Sequence, residues 1–388
     1  MEFAFTDEQL MIRDSADGFL ADASPSSAVR AAMATGGQDL ALWQRICQEL
    51  GWQALLVPEA HGGLGLGFVE LAIVQEQLGR CLASLPFFTS SVAVCALRLL
   101  ADEAQQSRWL PALAEGSLSA TLALGAEGVP DASAVQVVAR KEGEGFVLDG
   151  RLRPVLDGAS ADLLLIPARL AGSRGADGIC LFAVAAVSAG LQRRALPTLD
   201  QTRQLAEVDL NGLYLSADAL LGNAGAAWPV LDKVLQLAAI ALAAEQVGGA
   251  QQALDLTVAY TRERQQFGRP VGSFQALKHR MADMMLQVEC ARSALYYAAC
   301  VAQEALDGQS DSTLAAELPL AAALAKSRAS EAFFHCAAES IQLHGGVGFT
   351  WEYDPHLYFK RARAGEALLG TPAWHRERIA AAILEERP

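Results

Sequence analysis

Cations are scarce in this sequence: 30 lysines and arginines stand against 44 aspartates and glutamates, a formal net charge of −14. Neutralising nucleic-acid phosphates needs clustered Lys and Arg on an exposed face, so no nucleic-acid partner is expected. The seven cysteines (Cys47, Cys81, Cys95, Cys180, Cys290, Cys300, Cys336) lack the spacing of a metal-ligand set. They lie mostly in Ala/Leu contexts and read as small buried hydrophobes in a reducing compartment, with no metal site. A signal peptide is not expected either, because Met1 to Thr6 shows no basic region followed by an apolar stretch. The apolar run from Leu235 to Ala244 is cut off by Glu245 and falls short of the roughly 20 residues of a membrane span. These absences leave a cytoplasmic globular protein with no membrane partner, and 388 residues allow two or three domains.

Three textures follow one another along the chain. Residues 1–120 read as a helical domain: Thr6 with Glu8 and Gln9 starts a helix, and 40–50 and 68–82 carry apolar residues at helical spacing. Between these lies a breaker-rich loop, Val57 to Gly65. Residues 121–225 switch to short strand-like runs at 135–138, 146–148, 162–166, 179–184 and 205–210, separated by Gly, Asp and Pro, with a hairpin turn at 142–145. Such runs predict a middle antiparallel β-barrel or sandwich. Residues 226–388 are helical again, with long Ala/Leu-rich segments at 231–264, 274–306 and 313–344 and a last helix near 372–385, which suit a bundle.

Two segments carry chemistry. In Gln342-Leu343-His344-Gly345-Gly346-Val347-Gly348-Phe349, the paired glycines let the backbone approach a ligand, and successive amides can cup an anion. A plain helix C-cap is the competing reading. The second segment, Tyr260 to Arg280, concentrates five cations (Arg262, Arg264, Arg269, Lys278, Arg280) around Phe267 and Phe274, with Gly268 and Pro270 ending a helix. It reads either as a solvated helix end complementing the dipole or as a polyanion site of arginine forks and ring faces.

Together the segments resemble the acyl-CoA dehydrogenase family of flavoproteins. The family's pattern appears as Arg264, Phe267-Gly268, Gln275 and then Gln342 to Phe349, and the Pro58-Glu59 and Gly62 to Gly65 loop agrees. The resemblance implies a mostly α fold with a central β-domain: an N-terminal helical domain, a middle β-domain and a C-terminal four-helix bundle. It implies bound FAD, with Arg264, Phe267 and Gln275 on the cofactor of a neighbouring subunit, Gln342, Gly345 and Gly346 cradling its diphosphate and adenosine end, and Thr371 nearby. It further implies an acyl-CoA substrate, an electron-transferring flavoprotein or similar acceptor, and a homo- or hetero-oligomer.

The sequence departs from that family where a base is needed to remove the proton α to the thioester. The family's glutamate position before a Gly-Thr pair is Leu369, and the alternative position on the first long helix is Ala238. The strand against the flavin reads Pro154-Val155-Leu156, and the family's other middle-domain elements read Leu124-Gly125-Ala126 and Val129-Pro130-Asp131. Two carboxylates are candidate substitutes for the base. Glu366 lies one helical turn before Leu369, with an ion pair to Lys360, Arg361 or Arg363 as the plainer reading. Glu245 sits in an apolar helical stretch, with an arginine of the bundle as its plainer partner. The expected function is FAD-dependent α,β-dehydrogenation of an acyl-CoA with a bulky or branched acyl group. The alternative is a non-catalytic subunit that completes the FAD site of a partner.

Overall fold

The computed structural model describes residues 5–125, 129–308 and 312–385. The first four residues, on which most of the signal-peptide reading rests, and Ala126 lie outside them. The helices are α1 (Asp7–Ala23), α2 (Ser26–Ala34), α3 (Leu40–Arg45), α4 (Phe68–Arg80), α5 (Phe87–Leu100), α6 (Glu103–Glu115), α7 (Trp228–Glu263), α8 (Gln275–Leu306), α9 (Leu318–His344), α10 (Pro355–Ala367) and α11 (Pro372–Glu385). The strands are β1 (Ala120–Leu122), β2 (Val138–Glu142), β3 (Gly145–Leu156), β4 (Leu163–Leu170), β5 (Ile179–Ala185), β6 (Leu191–Leu196), β7 (Leu205–Leu215) and β8 (Leu220–Leu221), with a small separate pair β9 (Gln265–Gln266) and β10 (Arg269–Pro270). The chain forms two compact units: Thr35–Gly67 with Ser84–Ala238, and Met1–Ala34 with Phe68–Ala83 and Ala239–Pro388. Among the described residues no helix is long and apolar enough to cross a membrane.

The first unit is built on one sheet of order β6-β7-β3-β2-β4-β5-β8, with β1 beside β4. Of the expected antiparallel barrel or sandwich, the central β-sheet domain forms, but not as a closed barrel. β1 and β2 both run parallel to β4, which makes the sheet mixed, and among the described residues no pairing joins β6 to β8 to close it. The edges explain why: β8 has only two residues, and β6 carries Arg193 and Arg194, charges that discourage further strand pairing. The Glu142–Gly145 turn closes the β2–β3 hairpin, with those two residues paired. β4 is buried from Leu163 to Ala168, which is why its sequence is a continuous apolar run rather than an alternation. Leu148, Leu152, Val155, Ile166, Phe182 and Val208 fill the core of this unit.

In the second unit, α1 starts with a capping box. The Thr6 hydroxyl accepts from the Gln9 amide, and the Gln9 side chain accepts from the Thr6 amide. On α8 the buried residues Met284, Val288, Ala291, Leu295, Ala298, Ala302 and Ala305 recur at alternating four- and three-residue steps, the seam of a bundle helix. α9 packs against α8, α10 and α11.

α4 and α7 meet backbone to backbone through glycines. A Cβ on Gly248 would stand 1.8 Å from the Glu76 carbonyl oxygen, and one on Gly79 would stand 2.1 Å from that of Glu245. Gly248→Ala would gain about 1 kcal/mol in helix propensity. A clash with backbone, which cannot swing away as a side chain can, costs typically about 1–3 kcal/mol and outweighs that gain. We expect a lower urea midpoint for this variant; an unchanged or higher midpoint would contradict the close crossing.

Candidate functional site

The basic segment leaves its helix shortly before the breakers Gly268 and Pro270. α7 ends at Glu263, and the chain turns back through the β9–β10 hairpin, whose paired residues are Gln266 and Arg269. The two turn residues, Phe267 and Gly268, both have positive φ (54° and 78°), the pattern of a type I′ hairpin turn. Glycine adopts that conformation freely, whereas phenylalanine is strained in it. Phe267 nevertheless occupies it with 91% of its surface exposed. Strain that displays an apolar ring to solvent is a mark of a ligand-facing position. The Phe267 ring meets Phe274 edge-on at 6.1 Å, and the Arg269 guanidinium lies 4.0 Å over the Phe274 ring. Gln275 is exposed at the first position of α8. Arg280 pairs with Glu339, while among the described residues Arg262, Arg264 and Lys278 form no ion pair. Exposed cations without internal partners are available to an external anion.

The glycine segment sits at the end of α9. Gly345 has φ 65° and ψ −144°, a conformation essentially restricted to glycine, and its amide donates to the Gln342 carbonyl. The capping reading is thus correct for that amide. Yet Gln342, Gly345 and Gly346 are exposed, and a Cβ on either glycine would meet open space. Nothing in the chain fills the volume that the missing side chains leave, so a ligand can come close to the backbone. The two segments are neighbours: Tyr260 in the last turn of α7 stacks on His344 at 4.3 Å. His344 is buried, its Nδ1 lies 2.7 Å from the Ser340 carbonyl, and burial pushes its pKa down, so a neutral ring supports the glycines.

Thr371, Leu369 and the two candidate carboxylates belong to other clusters. The Thr371 hydroxyl accepts from the Trp374 amide at 3.3 Å, capping α11. α10 ends at Ala367 and Leu369 takes a left-handed φ of 55°, so the one-turn spacing between Glu366 and Leu369 does not hold. Glu366 instead pairs with Arg363 at 2.6 Å near the surface. Glu245 is buried and pairs with Arg361 at 3.0 Å, and Gln75 Nε2 lies 3.3 Å from its other oxygen. Ala238 is buried. In the sheet unit, Val155 is buried and the Leu156 carbonyl accepts from the Thr121 hydroxyl at 2.7 Å. Gly125 has a positive φ and Leu152 blocks the place of its Cβ, while Asp131 accepts from the Ser133 amide at 2.7 Å.

A cavity of about 410 Å³ in the helical unit is lined by Asp17, Gln77, Arg80, Gln252, Asp354 and Tyr358 among others, and shares no lining residue with the two cofactor segments. Sequence reasoning missed two residues that organise the helical unit, Lys326 and His375, and it named Arg361 only as a possible partner of Glu366 when its partner is Glu245. Lys326 left a signal, as a single lysine directly after the Ala/Leu stretch Ala321 to Ala325.

The fold and these segments define a helical flavoprotein built with a mixed-sheet unit. The chain belongs to the acyl-CoA dehydrogenase family, whose cofactor is FAD. The family's C-terminal domain model matches residues 225–384 and its N-terminal domain model matches 6–117. The acyl-CoA dehydrogenase IpdE2 of Mycobacterium tuberculosis is 35% identical over 94% of this chain and 94% of its own. Among solved structures, the ChsE4-ChsE5 complex from Mycobacterium tuberculosis matches with a TM-score of 0.87 and 28% identity over the full length of both chains. The Tcur3481-Tcur3483 steroid ACAD matches with a TM-score of 0.85 and 30% identity over 98% of each. Arg264, the exposed glycines and the displayed Phe267 ring fit such a cofactor: they offer a cation, an unobstructed backbone and an aromatic face.

Proposed function

We propose that this chain is one subunit of a heteromeric acyl-CoA dehydrogenase, and that it completes an FAD site whose catalytic base is carried by a partner chain of the same family. The carrying observation is that both base positions are apolar, Leu369 and Ala238, while Glu366 and Glu245 are each engaged by an arginine. Leucine and alanine cannot accept a proton, Glu245 is committed to a buried guanidinium that it is poorly placed to leave for a substrate, and Glu366 is turned to a surface pair with Arg363. In this reading Arg264 grips a cofactor phosphate, while Phe267 and Gln275 contact the same cofactor from across the subunit boundary. Gln342, Gly345 and Gly346 support its diphosphate and adenosine end, and Thr371 sits near the same cofactor. FAD supplies the hydride acceptor of the dehydrogenation.

Two of the solved relatives are named as pairs of proteins, which supports a heteromer, and one of them is named a steroid ACAD. A bulky, ring-bearing acyl group is the substrate class that we infer from that relative. A separate solved neighbour is titled an electron transferring flavoprotein, in keeping with an acceptor of that kind. The test is purification alone and together with a family member that carries a carboxylate at the position of Leu369. FAD retained by the pair and lost or weakly held by the single chain is the expected result. A single chain that holds FAD and is bleached by an acyl-CoA would show that it needs no partner.

A further inference from the structure

The loop that carries Leu369 and Thr371 is held in place by residues that the function above does not use. Lys326, on α9, is fully buried. Its ammonium donates to the Ser330 hydroxyl at 2.8 Å and to the carbonyls of Gly365 at 3.2 Å and Gly370 at 3.3 Å, with the Glu366 carbonyl at 3.5 Å. Gly365 and Glu366 belong to the last turn of α10, where carbonyls have no partner further along the helix. A cation there both satisfies them and complements the helix dipole. Ser330 in turn donates to Gln246 of α7 at 3.0 Å, which ties the lysine's anchor to a second helix.

Another carbonyl of the turn is taken from the other side. His375, in the first turn of α11, lies with Nε2 2.9 Å from the Leu369 carbonyl. A carbonyl only accepts, so Nε2 carries the proton, and burial keeps the ring neutral, with its pKa pushed down to about 4. Leu369 and Gly370 both have left-handed φ, 55° and 94°. Leucine does not choose that conformation. Lys326 and His375 impose it by fixing the carbonyls on both sides of the bend. The bend delivers Thr371, whose hydroxyl accepts from the Trp374 amide and so keeps its own proton for a ligand.

We propose that Lys326, acting with His375, is a positioning residue that sets the Leu369–Gly370–Thr371 turn and thereby presents Thr371 to the cofactor. The part of this that concerns the cofactor rests on the proposed FAD site. The test compares Lys326→Met and His375→Leu with Val288→Ala, which removes core volume from α8 without touching the turn. In the complex of this chain with its partner subunit, each turn variant should weaken FAD binding by about tenfold or more, the scale of a lost buried polar contact, and shift the flavin absorbance band. Val288→Ala, compared at equal loss of thermal stability, should do neither. Independently of FAD, amide exchange across residues 366–374 should accelerate in the two turn variants and not in Val288→Ala. Unchanged exchange in folded Lys326→Met and His375→Leu would overturn the proposal, as would an equal loss of FAD in Val288→Ala. If the turn exchange changes as expected but the wild-type complex binds no FAD, the proposed cofactor site fails and the positioning of the turn stands.

Discussion

Arg361→Met is expected to lower the unfolding free energy by about 3–5 kcal/mol, the usual cost of leaving one member of a buried ion pair without the other. Arg361 and Glu245 retain only 4% and 9% of their side-chain exposure. The guanidinium also reaches the Leu82 carbonyl at 3.5 Å, just past α4, where Leu82 takes a left-handed φ of 53°. Removing it therefore leaves a buried carboxylate without its counter-ion and releases a strained helix end. Combining Arg361→Met with Glu245→Leu should recover most of the loss, because an apolar pair of similar volume avoids burying charge at all. Urea denaturation of the two single variants and the double variant measures this. A single-variant cost below about 1 kcal/mol, the range of a solvent-exposed pair, would mean that the pair is not buried as described.

The second large effect concerns turnover. Reconstituted with FAD and mixed with an acyl-CoA, the chain alone is expected to reduce its flavin at least about 100-fold more slowly than the complex with a base-carrying partner. That is the low end of what a positioned general base contributes, about 10²–10⁴-fold. Within the complex, Arg264→Ala should weaken FAD binding by about 10–100-fold, the scale of a lost charge-assisted hydrogen bond. Glu366→Gln should leave the rate of the complex essentially unchanged, since its amide oxygen can still accept from Arg363. Glu245→Gln should lower stability, because the buried Arg361 charge loses its counter-ion, without lowering the rate of the folded complex. Stopped-flow bleaching of the oxidised-flavin absorbance gives these rates directly. Should the chain alone match the complex and lose its activity with Glu245→Gln, the base is Glu245 and the heteromeric reading is wrong.

Much of this molecule is legible in its sequence. The capping box at Thr6 and the apolar seam of α8 are local: the period of a helix and the reach of a hydroxyl to an amide three residues on need no distant partner. The unbroken apolar run of β4 likewise marks a strand buried on both faces. The cofactor segments are legible because glycine pairs and clustered cations are rare for any other purpose in so acidic a chain. The hairpin at 265–270 is not, because Phe267 sits where local preference would refuse it, and sequence reasoning fails at such strained positions. The parallel pairing of β1 and β2 with β4 escapes for a different reason: alternation reports which face is buried and not which strand lies alongside.

Family, cofactor and the absence of a carboxylate at residues 369 and 238 are written in residue identities along the chain, and no folding argument is needed to see them. What became of Glu245 and Glu366 was decided in three dimensions. Arg361 is 116 residues from Glu245 in the chain, and only the packing of α10 against α7 brings them to 3.0 Å. Lys326 and the carbonyls of Gly365 and Gly370, 39 and 44 residues apart, meet because α10 packs against α9. A buried charge must find its partner through space, and spatial neighbours so far apart in sequence leave no periodic trace in it.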